Sequence, residues 1–154
     1  IAPSITSVDK KDSYCGATQV PGAPSDQSAY RSELAGVLAI LIILQALCDA
    51  HGISEGSITL SLDSQSALAE AEGSWKLKPR QSDFDILLDI RERTKRLPIK
   101  VQYKWIKGHQ DEPQSQPTAT KKRRKRKKRP LSNWAKMNIL VDKLAGDYRQ
   151  EIGR

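Results

Sequence analysis

The chain is poor in cysteine, in aromatic residues and in long apolar runs. Cys15 and Cys48 are its only cysteines. They stand far apart with no C-x-x-C pair, which leaves no support for a disulfide scaffold or a cysteine-ligated zinc site and fits a reducing compartment. The longest apolar stretch, Val37 to Leu47, is broken by Gln45 and falls short of the ~20 residues that a membrane-spanning helix needs. It reads as a buried helix, and no membrane partner is expected. The opening IAPSITSV has no initiator Met and no basic segment leading into an apolar one, so no signal peptide is evident. It reads as the start of a fragment or a processed end. Internal repeats are missing, as is the glycine-rich loop that a doubly wound phosphate-binding fold carries after its first strand.

What is present suits one compact domain. The 154 residues are 38% hydrophobic and 29% charged, enough apolar material for a core and unlike a disordered chain. Lys and Arg number 26 against 18 Asp and Glu, but the excess is local. Residues 121–129 read KKRRKRKKR; without them 17 basic residues face 18 acidic ones. Nine adjacent like charges repel one another too strongly to be packed, so residues 113–130 read as a solvated basic loop insertion. It divides a first part, residues 1–112, from a closing helix in residues 131–154 of the same domain. Three readings stay open for the run: a tolerated insertion, a nuclear-import signal, or an arm that contacts phosphate without sequence specificity. An intracellular protein is expected, nuclear or cytoplasmic.

Patterning predicts strands over 4–8 and 13–20 around a polar turn. Leu34, Val37, Leu38, Leu41, Ile42 and Leu44 recur at helical spacing and continue to Leu47, with Gly52 as the stop. Ser57 to Leu62 alternates as a strand and delivers Asp63 at its end. Ser66 to Glu72 reads as a short helix closed by Gly73. A further helix runs from Ser82, with Asp85 completing an acidic capping box, to about Arg96. Ile99 to Ile106 alternates with Ile99, Val101, Tyr103 and Trp105 inward, and a last helix covers 133–150 with Ser132 or Asn133 as its cap. The class is α/β with a mixed sheet flanked by helices.

Three carboxylates fall at informative places. Glu33 stands in the first turn of the long apolar helix, Asp63 at a strand end and Asp142 inside the last helix. Singly, each has an ordinary reading: Glu33 favours the helix dipole, Asp63 caps the next helix, Asp142 lies on a solvated face. Together, carboxylates from separate elements are what hard, oxygen-seeking cations such as magnesium require.

The strings SAYRSELAG (28–36), LSLDSQSAL (60–68), WIKGHQDE (105–112) and NILVDKLA (138–145) stand in the order of the ribonuclease H family, and the chain most resembles the ribonuclease H domains attached to retroelement reverse transcriptases. The resemblance spans nearly the whole chain outside 113–130. It implies a mixed sheet flanked by helices and an endonuclease that hydrolyses the RNA strand of RNA–DNA hybrids with two magnesium ions, manganese being the alternative. It further implies that Glu33, Asp63 and Asp142 hold the metals and that His109 moves a proton or assists product release, a task its ordinary pKa suits. Nucleic acid and an adjacent reverse transcriptase domain are the implied partners.

The chain departs from that pattern in its first strand, where the family has an aspartate. Residues 1–22 match the second and third strands, so one of four ligands is expected to be missing and two strand edges to be left unpaired. Amides that read 2′-hydroxyls in several relatives are replaced by Ala29 and Tyr30, with Gln27 and Ser28 just before them. Ser28, Tyr30, Ser64, Gln65 and Lys107 are expected to contact substrate. Arg31 is read equally as a phosphate contact or as a surface ion pair. The rival to the enzyme is a catalytically silent ribonuclease H-like module that binds nucleic acid or connects domains.

Overall fold

The computed structural model describes residues 4–6, 13–73, 76–108 and 130–152. In chain order these form β1 (Ser4–Thr6), β2 (Ser13–Cys15), a 3-10 turn at Pro24–Asp26, α1 (Ala29–His51), β3 (Ser57–Leu62), α2 (Gln65–Glu72), α3 (Phe84–Arg96), β4 (Lys100–Trp105) and α4 (Asn133–Ile152). The class is α/β. His109, most of the insertion and the whole basic run 121–129 lie outside the described residues.

β1 and β2 pair antiparallel, with Ser4 opposite Cys15, and β3 and β4 pair parallel, from Ser57 opposite Lys100 to Leu62 opposite Trp105. The single mixed sheet expected from the sequence is not formed: among the described residues the two pairs stay separate. Joining them takes a strand hydrogen-bonded to both, and the described residues contain none. Of the strand expected over 13–20, only Ser13–Cys15 pairs.

The parallel register sets Ile58, Leu60 and Leu62 beside Val101, Tyr103 and Trp105 on one face of β3–β4, and Ser57, Thr59 and Ser61 beside Lys100, Gln102 and Lys104 on the other. The apolar face packs with α1, α2 and α3 around Leu34, Leu41, Leu87 and Ile90, all wholly buried. On the polar face, the Lys104 ammonium lies 5.1 Å from the ring centre of Trp134 in α4, a cation–π contact. The alternation fails at its last position. Trp105 is 46% exposed and Ile106 is buried instead, because the strand ends at Trp105 and the period of two ends with it.

α1 starts earlier than its apolar spacing suggests. The Ser28 hydroxyl accepts a hydrogen bond from the Arg31 amide at 2.9 Å, so the helix begins at Ala29 and Glu33 sits in the second turn, away from the strongest part of the helix dipole. Its end at Gly52, with φ of 61°, is the left-handed stop that glycine permits. The expectation of a buried helix holds for one face only. Leu34, Val37, Leu38, Leu41, Leu44 and Cys48 are buried, while Ile42, Ile43 and Leu47 are substantially exposed. By length and composition alone this 23-residue helix could cross a membrane, a property the uninterrupted-run criterion passed over.

The capping box expected at Ser82 and Asp85 does not form. Asp83 is the N-cap of α3, in the left-handed region (φ 58°, ψ 23°) and without a side-chain cap bond. Ser82 donates to Asp83 at 2.8 Å, and Asp85 is drawn off to Arg31. Ser132 caps α4 as expected, accepting from the Ala135 amide at 3.1 Å.

Candidate functional site

The two parallel strands direct their carboxyl ends at one cleft, the place where open α/β sheets commonly bind ligands. The chain turns from β3 into α2 within two residues because Ser64 caps α2, accepting from the Ala67 amide at 3.3 Å. That frees Asp63 from the capping role. The cleft has a volume of about 430 Å³ and is lined by Ala29, Tyr30 and Glu33 of α1, Asp63 and Ser64 of the β3–α2 turn, Ser66 of α2, and Gly108 after β4; Asp142 is not among its lining residues.

Asp63 is held from two sides. The indole N–H of Trp105 donates to its backbone carbonyl at 3.0 Å, and the amide of Asn138 donates to its Oδ2 at 3.4 Å. The same amide donates to Asp142 Oδ2, also at 3.4 Å. The Glu33 carboxyl is pushed up to about 7, chiefly by burial and then by the negative charges of Asp63 and Asp142. The three carboxylates therefore share one electrostatic neighbourhood, although they come from three elements. Among the described residues, no three acidic, histidine or cysteine side chains close into a cation cage by themselves.

The raised Glu33 carboxyl has a measurable consequence. Because its folded value lies above the ordinary carboxylate value of 4.5, its contribution to stability is fully present below that value and is lost as pH rises through about 7. The metal-free chain is expected to melt at falling temperature from about pH 5 to pH 8, and Glu33→Gln to flatten the slope. An equal slope in Glu33→Gln contradicts the assignment.

Gly108 is required by close approach. A Cβ there stands 2.6 Å from Asp63 Oδ2, so any side chain displaces the carboxylate. Gly108→Ala is expected to keep the fold while shifting the Asp63 carboxylate in a crystal structure of the variant. An unmoved Asp63 carboxylate contradicts the close approach.

The expected substrate contacts divide. Tyr30 and Ser64 line the cleft, and Ser64 also pairs with Ser66 at 3.2 Å. Ser28 is exposed but serves as the α1 cap. Gln65 and Lys107 are exposed next to cleft residues without lining it. Arg31 does not face the cleft. It is 4% exposed, donating from Nε to the Pro21 carbonyl at 2.8 Å, from Nη1 to Asp83 at 2.8 Å, and in a two-point fork to Asp85 at 3.1 and 2.7 Å. Of its two readings, ion pairing is the one realised, inside the molecule and not on its surface.

Sequence reasoning missed Asn138, Trp105 and Gly108. For Asn138 the signal was present: the N-x-x-x-D spacing sets it one helical turn before Asp142 on the same face of α4. For Trp105 there was none, since alternation placed its ring inside. No protein-family model, curated protein or solved structure matches the chain.

Proposed function

We propose that the chain is a ribonuclease H-type domain of the kind attached to retroelement reverse transcriptases, acting with magnesium or manganese on the RNA strand of RNA–DNA hybrids. The observation that carries this reading is that Glu33 and Asp63 line one cleft at the carboxyl ends of two parallel strands, with Asp142 joined to Asp63 through the Asn138 amide. An all-oxygen donor set suits a hard divalent cation, and the Glu33 carboxyl, raised chiefly by burial, is raised further by the charges of Asp63 and Asp142, which a cation would offset. Glu33, Asp63 and Asp142 would hold the ions, with a fourth carboxylate on a strand set between the two separate strand pairs. When bound, such ions activate a water and neutralise charge on the phosphodiester.

The chain's own residues do the rest. Trp105 and Asn138 keep Asp63 aimed into the cleft, and Tyr30 and Ser64 meet the nucleic acid at its rim. On the family resemblance, His109 would move a proton or assist product release, and the nine cations of 121–129 would add phosphate contact. The test is cleavage of a labelled hybrid with Mg2+ by the chain extended upstream with an aspartate-bearing strand. Cut RNA ending in a 3′-hydroxyl, with a 5′-phosphate on the downstream piece, supports the reading. An inert extended chain contradicts it.

The exposed position of Asp142 beyond the cleft lining favours a second reading, a silent ribonuclease H-like module that binds nucleic acid or connects domains. In that case hybrid binding persists in Asp63→Asn while no form cleaves. In either case affinity is expected to fall steeply with salt, and deleting 121–129 to flatten the slope by roughly 0.9 for each phosphate that the run had neutralised. An unchanged slope removes the basic run from binding.

A further inference from the structure

We infer that Asn138 is a positioning residue: its amide bridges Asp63 and Asp142 as a neutral stand-in for a cation, docking α4 on the end of β3 until a divalent ion takes over. The inference rests on the reading of the cleft as a cation site. Asparagine carries two N–H donors, and here both carboxylates are served by one nitrogen, at 3.4 Å each. Those distances are long for N–H···O bonds, which centre near ~2.9–3.0 Å. The amide is stretched between two acids that repel each other, a weaker bridge than the contacts of about 2.0–2.1 Å that magnesium makes with oxygen.

The bridge adds to a shallow packing of α4. Among its described residues only Ala135 is buried, and its apolar side chains Met137, Ile139, Val141 and Leu144 are half-exposed, with Leu140 at 46%. The Lys104–Trp134 contact secures the first turn. Asn138 secures the second, one turn before Asp142, so helix geometry aims the amide and the carboxylate at the same point.

Hydrogen exchange of the α4 amides in the 154-residue chain, with and without saturating Mg2+, tests the inference. Without metal, Asn138→Ala is expected to speed exchange in α4 about tenfold, the scale of one hydrogen bond to a charged group. Mg2+ is expected to restore most of the protection. Asn138→Asp keeps the shape but adds a third carboxylate, so α4 should exchange faster still without metal and show the largest protection with it.

If both variants exchange like the parent without metal, or if Asn138→Asp behaves as Asn138 does, the residue is only part of the packing and the inference falls. If Mg2+ protects no form while the metal-free difference stands, the cation reading of the cleft fails. The exchange of one bridge for another fails with it, and the docking contact alone survives.

Discussion

On the proposed function, Asp63→Asn in the chain extended upstream is expected to lower hybrid cleavage by about a thousandfold or more, ~4 kcal/mol in the barrier, with no loss of stability. The replacement removes a negative charge from the cleft and leaves a side chain of the same shape. It does not disturb the anchor on β4, since the Trp105 indole bonds to the backbone carbonyl of residue 63 and not to its carboxylate. It also removes one of the charges that raise Glu33. The metal-free variant should therefore melt at or slightly above the parent's temperature near neutral pH. Lost cleavage, retained hybrid binding and retained stability form a signature that misfolding does not produce. Cleavage within a few-fold of the parent means the carboxylate plays no part in the chemistry.

Arg31→Ala is expected to cost about 3–5 kcal/mol of folding stability, the largest loss for any single side chain considered. The guanidinium and the Asp83 carboxylate are each 5% exposed at the side chain and 2.8 Å apart. Removing one leaves the other charge buried without a partner. The same guanidinium ties the Pro21 carbonyl and the N-terminus of α3 to α1, and it helps hold Asp83 in its left-handed conformation. Asp85 is 67% exposed, so Asp85→Asn should cost under about 1 kcal/mol even though the pair draws its carboxyl below the usual range. Arg31→Lys is not expected to rescue, because an ammonium cannot reproduce the fork to Asp85 while reaching Asp83 and Pro21. Urea denaturation of the three variants measures this. A loss below about 1 kcal/mol for Arg31→Ala contradicts the account of a buried clamp.

The helices and the strands β3 and β4 were legible in the sequence because local rules decide them, whereas the pairing of those strands was not. Composition and the Gly73 stop placed α2, period and the Ser132 cap placed α4, and alternation placed β3 and most of β4. The failures came where a distant residue overrode a local rule. Asp85 left its expected capping role for Arg31, 54 positions away. Arg31, readable as a phosphate contact by charge alone, was claimed by two acids that no local pattern connects to it. The outer face of α1 is exposed despite its apolar sequence, since sequence periodicity does not reveal which neighbours are present to cover it. The mixed sheet failed for the same reason.

The site was legible in part. The elements that carry Glu33, Asp63 and Asp142 followed from strand ends and helix turns, but the placement of Glu33 beside Asp63 in one cleft is a tertiary fact. So is the use of Asn138 to bridge two of them.

The most direct test is to locate Mn2+ in crystals of the chain by anomalous scattering at the manganese edge. Manganese is expected in the cleft with oxygen atoms of Glu33, Asp63 and Asp142 among its ligands or one water away from it. Manganese bound only elsewhere, or a cleft that takes up none while these three side chains remain intact, contradicts the account.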